Sequence, residues 1–267
     1  MCLEPEVKPD VRQEQLLTVR DVEMHFGGVR ALRGASLDIP EGQICGLIGP
    51  NGAGKTTLFN CISGLYRPQS GEIRYLGQSL LGRRTHEIVH LGIARTFQNL
   101  GLYPALTVLE NVQLGGQTTD CQGFFGPVAR YRANRAREAG LRDAALAYLD
   151  RLGLADIAHR AAAGLPFGTL KRIELARALM SRPKLLMLDE PAGGLTHGEV
   201  DELAQLIRAL RDEFSMTVLL VEHHMKMVMT YCRHVVVLNL GATLAAGTPA
   251  EVQANPEVAA AYLSGAK

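Results

Sequence analysis

No apolar run in the chain approaches the roughly 20 residues that a membrane-spanning helix needs. Residues 185–188 and 235–240 are strand-sized, so the chain is not expected to cross a membrane by itself. An excess of either charge is missing too. Lys and Arg number 28 against 27 Asp and Glu, a formal net charge of +1, which gives no chain-wide pull toward a polyanion and argues against nucleic acid as a partner. The N-terminus, with Glu4, Glu6, Asp10 and Glu14, lacks a basic region followed by an apolar one. No secretory signal is read there, and the chain is expected in the cytosol.

Cysteine pairing is also absent. Cys2, Cys45, Cys61, Cys121 and Cys232 are odd in number, widely spaced and never in C-x-x-C form, which fits reduced thiols packed as small core residues rather than a disulfide frame or a zinc site. The adjacent His223 and His224 do not make a metal site either. Neighbours on a strand or helix point apart, and no nearby Cys or His completes a ligand set.

What is present is enough apolar material for a full core: 267 residues, 47% hydrophobic and 21% charged, matching one large α/β domain or a core with a smaller subdomain. Residues 1–15 read as a loose tail. Leu17, Val19, Val22 and Met24 then mix with polar residues as in a strand. Residues 35–39 and 44–48 give two more strands, 55–63 a helix, and Ser70-Gly71 turns into a strand through Tyr75. From about Thr85 to Arg182 helical patterns dominate, notably over 132–152, where Ala136, Ala139, Ala145, Leu146 and Leu149 supply an apolar face. Within that stretch Gly123, Phe124, Phe125, Gly126 and Pro127 form a loop whose aromatics either tuck into the subdomain or face a partner or membrane. Strands at 185–188, 217–221 and 235–240, with a helix over 199–213, resume a parallel βαβ pattern.

Two motifs carry chemistry. Gly49-Pro50-Asn51-Gly52-Ala53-Gly54-Lys55-Thr56-Thr57 fits the phosphate-loop pattern between a strand and a helix. Its glycines let backbone N–H groups turn inward around phosphates at a helix N-terminus, Lys55 can reach the terminal phosphates, and Thr56 can hold Mg²⁺. The second motif is the apolar run 185–188 followed by Asp189-Glu190, two acids at the carboxyl end of a strand, where an open α/β sheet places its ligands. Asp189 is suited to bind Mg²⁺ through water, and Glu190 to polarise the water that attacks a γ-phosphate.

GPNGAGKTT, the glutamine of ARTFQN at Gln98, LPFGTLKRIELARAL, LLMLDEPAGGLT and VEHH follow one another in an order and at spacings that resemble the ATP-binding subunit of an ABC transporter, over nearly the whole chain from Leu16. The resemblance implies an α/β P-loop ATPase core with an antiparallel β portion and an inserted helical subdomain. The corresponding division is a tail at 1–15, a core at 16–97 and 183–247, a helical signature subdomain at 98–182 and a C-terminal helical tail at 248–267. It further implies ATP and Mg²⁺ as cofactors, Phe26 stacked on adenine, Gln98 joining the metal and sensing the membrane subunit, and Gly168 facing a partner's ATP. Leu195 and Thr196 would lie in a dimer-contact loop and His223 at the γ-phosphate. Taken singly, Phe26 reads equally well as core, Gln98 as a loop hydrogen bond and His223 as a strand-end polar residue.

The stretch 99–112, the long insert before Arg132, EHHMKMVM and GTPAEVQANPEVAAAYL resemble the branched-chain amino acid uptake branch, features shared with urea or short-amide importers and in part with the lipopolysaccharide-export ATPase. The implied partners are transmembrane permease subunits, a second ATPase subunit and, indirectly, an extracytoplasmic solute-binding protein, with the chain peripheral on the cytoplasmic face of the membrane. Soluble relatives acting in DNA repair or translation resemble chains with long coiled-coil arms or two ATPase halves, which are not seen here. A nucleotide sensor without turnover does not need Glu190 and His223. Two departures stand out. Pro166 occupies the serine position of the LSGGQ-type signature and offers neither hydroxyl nor N–H, with Phe167 and Thr169 differing as well. Thr196 stands where an aspartate usually ends the dimer-contact loop. A heterodimer whose second ATPase chain bears an intact signature is therefore expected, a homodimer being the other arrangement.

Overall fold

The computed structural model describes residues 15–97, 100–117 and 127–264. The N-terminal tail, Cys2, Cys121 and the loop residues Gly123, Phe124, Phe125 and Gly126 lie outside the described residues. The chain runs through β1 (Gln15–Phe26), β2 (Val29–Pro40), β3 (Ile44–Ile48), α1 (Lys55–Ile62), β4 (Ser70–Tyr75), β5 (Gln78–Ser79), α2 (Thr85–His90) and β6 (Ile93–Arg95). Helices α3 (Val108–Gln113), α4 (Pro127–Arg151) and α5 (Phe167–Leu179) follow. Then come β7 (Leu185–Asp189), α6 (His197–Phe214), β8 (Thr217–Val221), α7 (Met225–Tyr231), β9 (His234–Asn239), β10 (Ala242–Gly247), α8 (Pro249–Ala254) and α9 (Pro256–Ser264).

These strands form two sheets among the described residues. One is antiparallel, in the order β2-β1-β4-β5. Its β1–β2 hairpin turns at Gly27 and Gly28, with Phe26 paired to Val29 and Gly27 at φ 55°, a backbone that a tight hairpin loop needs and glycine supplies. The other is ordered β10-β9-β3-β8-β7-β6 and is parallel from β9 to β6, with β10 antiparallel at one edge. Every residue of β3, β7 and β8 is buried, as expected of parallel strands covered on both faces. Alternate residues serve opposite cores. Ile44, Ile48, Leu186, Leu188, Val218 and Leu220 face the helical layer, while Cys45, Leu47, Leu185, Met187, Leu219 and Val221 face α1 and the antiparallel sheet.

The strands and helices read from sequence are present, but β2 begins at Val29 rather than Ala35 and α4 at Pro127, read as loop, rather than Arg132, and three further differences stand out. The helical stretch from Thr85 contains β6, which pairs in parallel with β7 and is too short to show a period. Strand β10, sequence ATLAAG, is built from residues of low β propensity and is held by pairing with β9. In α4 the apolar residues read as one face do not all pack. Ala145 and Leu149 are buried and Leu146 half-buried, but Ala136 and Ala139 are exposed, because the core reaches the helix at Ala145 and Leu149 and not at Ala136 and Ala139. Cys45, Cys61 and Cys232 are buried free thiols, and burial pushes Cys45 up to about 12 and Cys61 up to about 11. No described helix is long and apolar enough to cross a membrane.

Asn111 on α3, with 0% exposure, ties down the segment 103–107. Its side-chain carbonyl accepts the Tyr103 N–H at 2.8 Å, and its amide donates to the carbonyls of Tyr103 (3.0 Å), Thr107 (3.0 Å) and Leu106 (3.3 Å). Removing it strips the Tyr103 N–H of its partner and takes a second hydrogen bond from the carbonyls of Tyr103, Leu106 and Thr107, which keep those from the backbone N–H groups of Leu106, Ala162 and Asn111. Asn111→Ala is expected to lower stability by about 2 to 3 kcal/mol, measured as a drop in the urea midpoint with an unchanged slope.

Candidate active site

Strand β3 ends between β8 and β9, and residues 49–54 bridge it to α1. The loop is shaped by close backbone approach. Gly49 has φ 151°, and a Cβ there would lie 2.1 Å from the Leu238 carbonyl oxygen. Gly54, the N-cap of α1 at φ 100°, would bring a Cβ to 2.6 Å from the Ala31 carbonyl oxygen on β2. The Ala53 N–H donates to Pro50 O at 3.2 Å, and Gly241 N–H donates to Ala53 O at 3.0 Å, so the β9–β10 turn braces the loop from behind. Asn51, Gly52 and Thr56 are exposed, and Thr57 is half-buried. Lys55 is buried, and its ammonium donates back to Gly49 O (2.7 Å) and Pro50 O (2.9 Å). Burial pulls the Lys55 ammonium below its ordinary value, and the charges of Glu190 and Asp189 oppose that shift. The loop N–H groups, the lysine and the two acids thus share one electrostatic environment.

The sheet register explains why the acids arrive here. Asp189 pairs with Val221, and Leu47 pairs with the same Val221, so the ends of β7, β8 and β3 form one row about 10 Å across. Asp189 is 2% exposed; its Oδ2 accepts from Arg95 Nη2 at 2.8 Å, while its buried Oδ1 has no hydrogen-bond partner among the described residues. That orphaned carboxylate oxygen and the hydroxyl of the exposed Thr56 are hard-oxygen donors of the kind Mg²⁺ takes. Glu190 stands past the strand end at φ 49°, a strained backbone for a non-glycine residue. Its carbonyl accepts the Gly193 N–H (3.1 Å) and Lys171 Nζ (3.3 Å). Its Oε1 lies 2.6 Å from His223 Nε2.

Of the remaining sequence-predicted residues, Phe26 sits at the end of β1, 44% exposed, edge-on to Tyr66 with ring centroids 5.1 Å apart. The hairpin carrying it returns through Ala31 and Leu32, which touch the phosphate loop at Gly54. Gly168 is not with this group. It shares a separate pocket of about 380 Å³ with Pro166, Thr169, Arg172, Leu195 and Glu199. Thr196 is the N-cap of α6, its N–H and hydroxyl both donating to Glu199 Oε2 at 2.8 and 2.7 Å. Gln98 lies outside the described residues.

The family described as ABC transporter matches residues 32–193, well over half of the chain. The chain belongs to the ABC transporter ATP-binding family. The family described as branched-chain amino acid ATP-binding cassette transporter matches residues 242–263 of this cassette. The high-affinity branched-chain amino acid transport ATP-binding protein BraF of Pseudomonas aeruginosa is 43% identical, the alignment covering 93% of this chain and 97% of that protein. LivG of Escherichia coli, of the same description, is 40% identical over 94% of this chain and 98% of that protein. Among solved structures, a nucleotide-free ATP-binding cassette from an ABC transporter superposes with a TM-score of 0.82 at 29% identity, covering 93% of this chain and 99% of the other. The ADP conformation of the cassette MJ1267 gives 0.81 at 28% identity, covering 94% and 99%.

The cassette also uses residues that sequence reading passed over. Glu222, 2% exposed, accepts the Ala192 N–H (2.6 Å) on Oε1 and the N–H groups of His223 (3.0 Å) and His224 (3.3 Å) on Oε2. It fixes the chain that carries His223 against the loop after Glu190. Arg95 holds Asp189. Glu174 on α5 accepts the Phe97 N–H at 2.9 Å, and burial raises its carboxyl above the usual range. Tyr262 on α9 receives a hydrogen bond from the Gly49 N–H, and burial pushes its phenol up. Arg95 and Glu222 stood inside the quoted motifs ARTFQN and VEHH, but nothing in their spacing names their partners. Tyr262 had no local signal.

The loop geometry sets a direct test. Gly49→Ala combines a left-handed backbone with an unavoidable clash and is expected to cost about 1 to 3 kcal/mol in strain and to weaken binding of a fluorescent ATP analogue. Gly52→Ala, at φ 77° but with no heavy atom within 4 Å of the new Cβ, is expected to lose less. Equal titration curves for the two variants would contradict this account of the loop.

Proposed function

We propose that the chain is the ATP-hydrolysing subunit of an importer for branched-chain or related amino acids, peripheral on the cytoplasmic side of the membrane. The solute class rests on the names of its relatives and on the match of its C-terminal segment. In this reading residues 16–97 and 183–247 bind nucleotide, 98–182 face the permease, and 248–267 form the C-terminal tail. The observation that carries turnover over mere nucleotide sensing is the 2.6 Å contact between Glu190 Oε1 and His223 Nε2 beside the phosphate loop.

The roles follow from chemistry. Loop N–H groups and Lys55 balance phosphate charge, and Phe26 offers an aromatic face to adenine. Thr56 and Asp189 Oδ1, with Gln98, would hold Mg²⁺, which offsets charge on the β- and γ-phosphate oxygens when bound. Glu190 accepts a proton from the attacking water and orients it, while His223 hydrogen-bonds a γ-phosphate oxygen and is kept in place by Glu190 and the Glu222-anchored backbone. A cleft of about 460 Å³ between β6 and α5, lined by Phe97, Gly101, Tyr103, Glu174 and Arg177 among others, suits docking of a permease segment. Lys55→Ala is expected to weaken ATP binding, whereas Glu190→Gln should preserve binding and lose about 10² to 10⁴ in turnover, measured with the permease partners. Normal hydrolysis by Glu190→Gln would overturn the assignment of the water-polarising acid.

The signature bears on assembly. Pro166 is the N-cap of α5 and supplies no side-chain bond, leaving the backbone N–H groups of Phe167, Gly168 and Thr169 and the Thr169 hydroxyl as the donors of that turn. In a head-to-tail pair each ATP lies between one chain's phosphate loop and the other's signature. The deficit therefore falls on the partner's nucleotide, by about 10² to 10³ in rate. We propose a heterodimer in which a second chain with an intact signature completes the site over Lys55 and Glu190. Mutating Glu190 is then expected to stop transport more severely than mutating the partner's equivalent acid; equal losses, or a fully active homodimer, would sink the asymmetry.

A further inference from the structure

Three consecutive residues at the end of β6 reach in three directions. The Arg95 guanidinium, 7% exposed, donates to Asp189 Oδ2 at 2.8 Å through Nη2, and to Asn60 Oδ1 at 2.7 Å and Ser63 Oγ at 2.9 Å through Nη1. It is flanked by the rings of Phe59 and Phe97, 5.5 and 5.3 Å from their centroids. Thr96 Oγ1 accepts the Asp189 N–H at 3.3 Å. Phe97 donates its N–H to Glu174 on α5. Arg95, Phe97 and Glu174 also line the cleft beside α5.

The contacts of Arg95 and Thr96 constrain the same residue, Asp189. Arg95 takes Oδ2 out of play, Thr96 fixes the backbone, and Oδ1 is the oxygen left without a protein partner. A guanidinium is needed for this arrangement, because its planar fork bonds the acid and the C-terminal end of α1 at once while its faces lie against rings. An ammonium is a compact point charge that cannot bridge Asn60, Ser63 and Asp189 in that geometry.

We infer that Arg95 is a positioning residue for Asp189: it orients the carboxylate so that Oδ1 alone addresses the nucleotide-bound metal, and it ties that orientation to the wall of the cleft beside α5. The inference rests on the reading of Asp189 as a metal-binding acid. Through Arg95 and Phe97, anything that moves the cleft wall moves the acid, because the guanidinium lies against a cleft-lining ring and bonds the carboxylate with the same group.

The test uses the full chain carrying Arg95→Lys, Asn60→Ala or Asp189→Asn. Two affinities are measured for each: Mn²⁺ for the ADP-loaded protein by electron paramagnetic resonance, and a fluorescent ATP analogue in EDTA. Arg95→Lys is expected to weaken Mn²⁺ binding by about 10- to 100-fold, Asn60→Ala by less, and neither should change nucleotide affinity in EDTA. Should Arg95→Lys fail to fold, Asn60→Ala carries the same comparison, since it loosens the guanidinium without touching the acid. If Asp189→Asn weakens Mn²⁺ binding while both other variants leave it unchanged, the inference about Arg95 is overturned and the reading of Asp189 stands. If Asp189→Asn has no effect either, that reading fails first. Parallel loss of both affinities in Arg95→Lys and Asn60→Ala would mean that Arg95 only supports the fold.

Discussion

Three adjacent strands, β3, β8 and β7, are buried along their whole length, and that burial governs everything polar around them. A parallel sheet covered on both faces has nowhere to put a charge except at its ends. The row of carboxyl ends at Leu47, Val221 and Asp189 is therefore where the chain can first turn a polar group out, and the phosphate loop, the acids and His223 all leave the sheet there. The opposite face of the same argument is the exact alternation of the strands between two cores, which locks the register: a slip by one residue would exchange the helical face for the antiparallel-sheet face along the entire strand.

The charges that remain buried near this edge are not isolated. Arg95 lies against Asp189, Lys171 donates to the Glu190 carbonyl, Glu174 accepts a backbone N–H from Phe97, and Glu222 accepts three N–H groups. Removing one member of such a set leaves the other stranded in a medium that solvates it poorly, which is more damaging than the pair is stabilising. These contacts also join elements far apart in the chain. Two of the links run from α5 to the strand ends, so the helix capped by Pro166 is mechanically attached to the acids of its own chain even though its first turn opens onto a different pocket.

The parts of the site legible in the sequence are those whose chemistry is local. The phosphate loop announces itself because its glycines, lysine and threonines act as one short piece of backbone, and Asp189-Glu190 because an apolar strand stops at them. Arg95 and Asp189 stand 94 residues apart, and only the β6–β7 pairing brings them together. That strand has three residues, too few to show a period. The exposed Ala136 and Ala139 illustrate the converse: a helix can show an apolar stripe that its neighbours do not reach. Glu222 was hidden by its position, since a carboxylate that serves only backbone N–H groups looks in sequence like any surface acid.

Tyr262 stands nearly at the end of the described chain, and its hydroxyl receives the N–H of Gly49, the first residue of the phosphate loop. Docking of α9 and the native shape of that loop are thereby linked equilibria. A ligand that favours the loop's closed geometry must, by reciprocity, also favour the docked tail, to the extent of the one hydrogen bond between them, about 1 kcal/mol. Fraying of the last turns, the most readily opened part of most domains, would be felt as a small rise in the apparent nucleotide dissociation constant, and amide-exchange protection in α9 would report on what the phosphate loop holds.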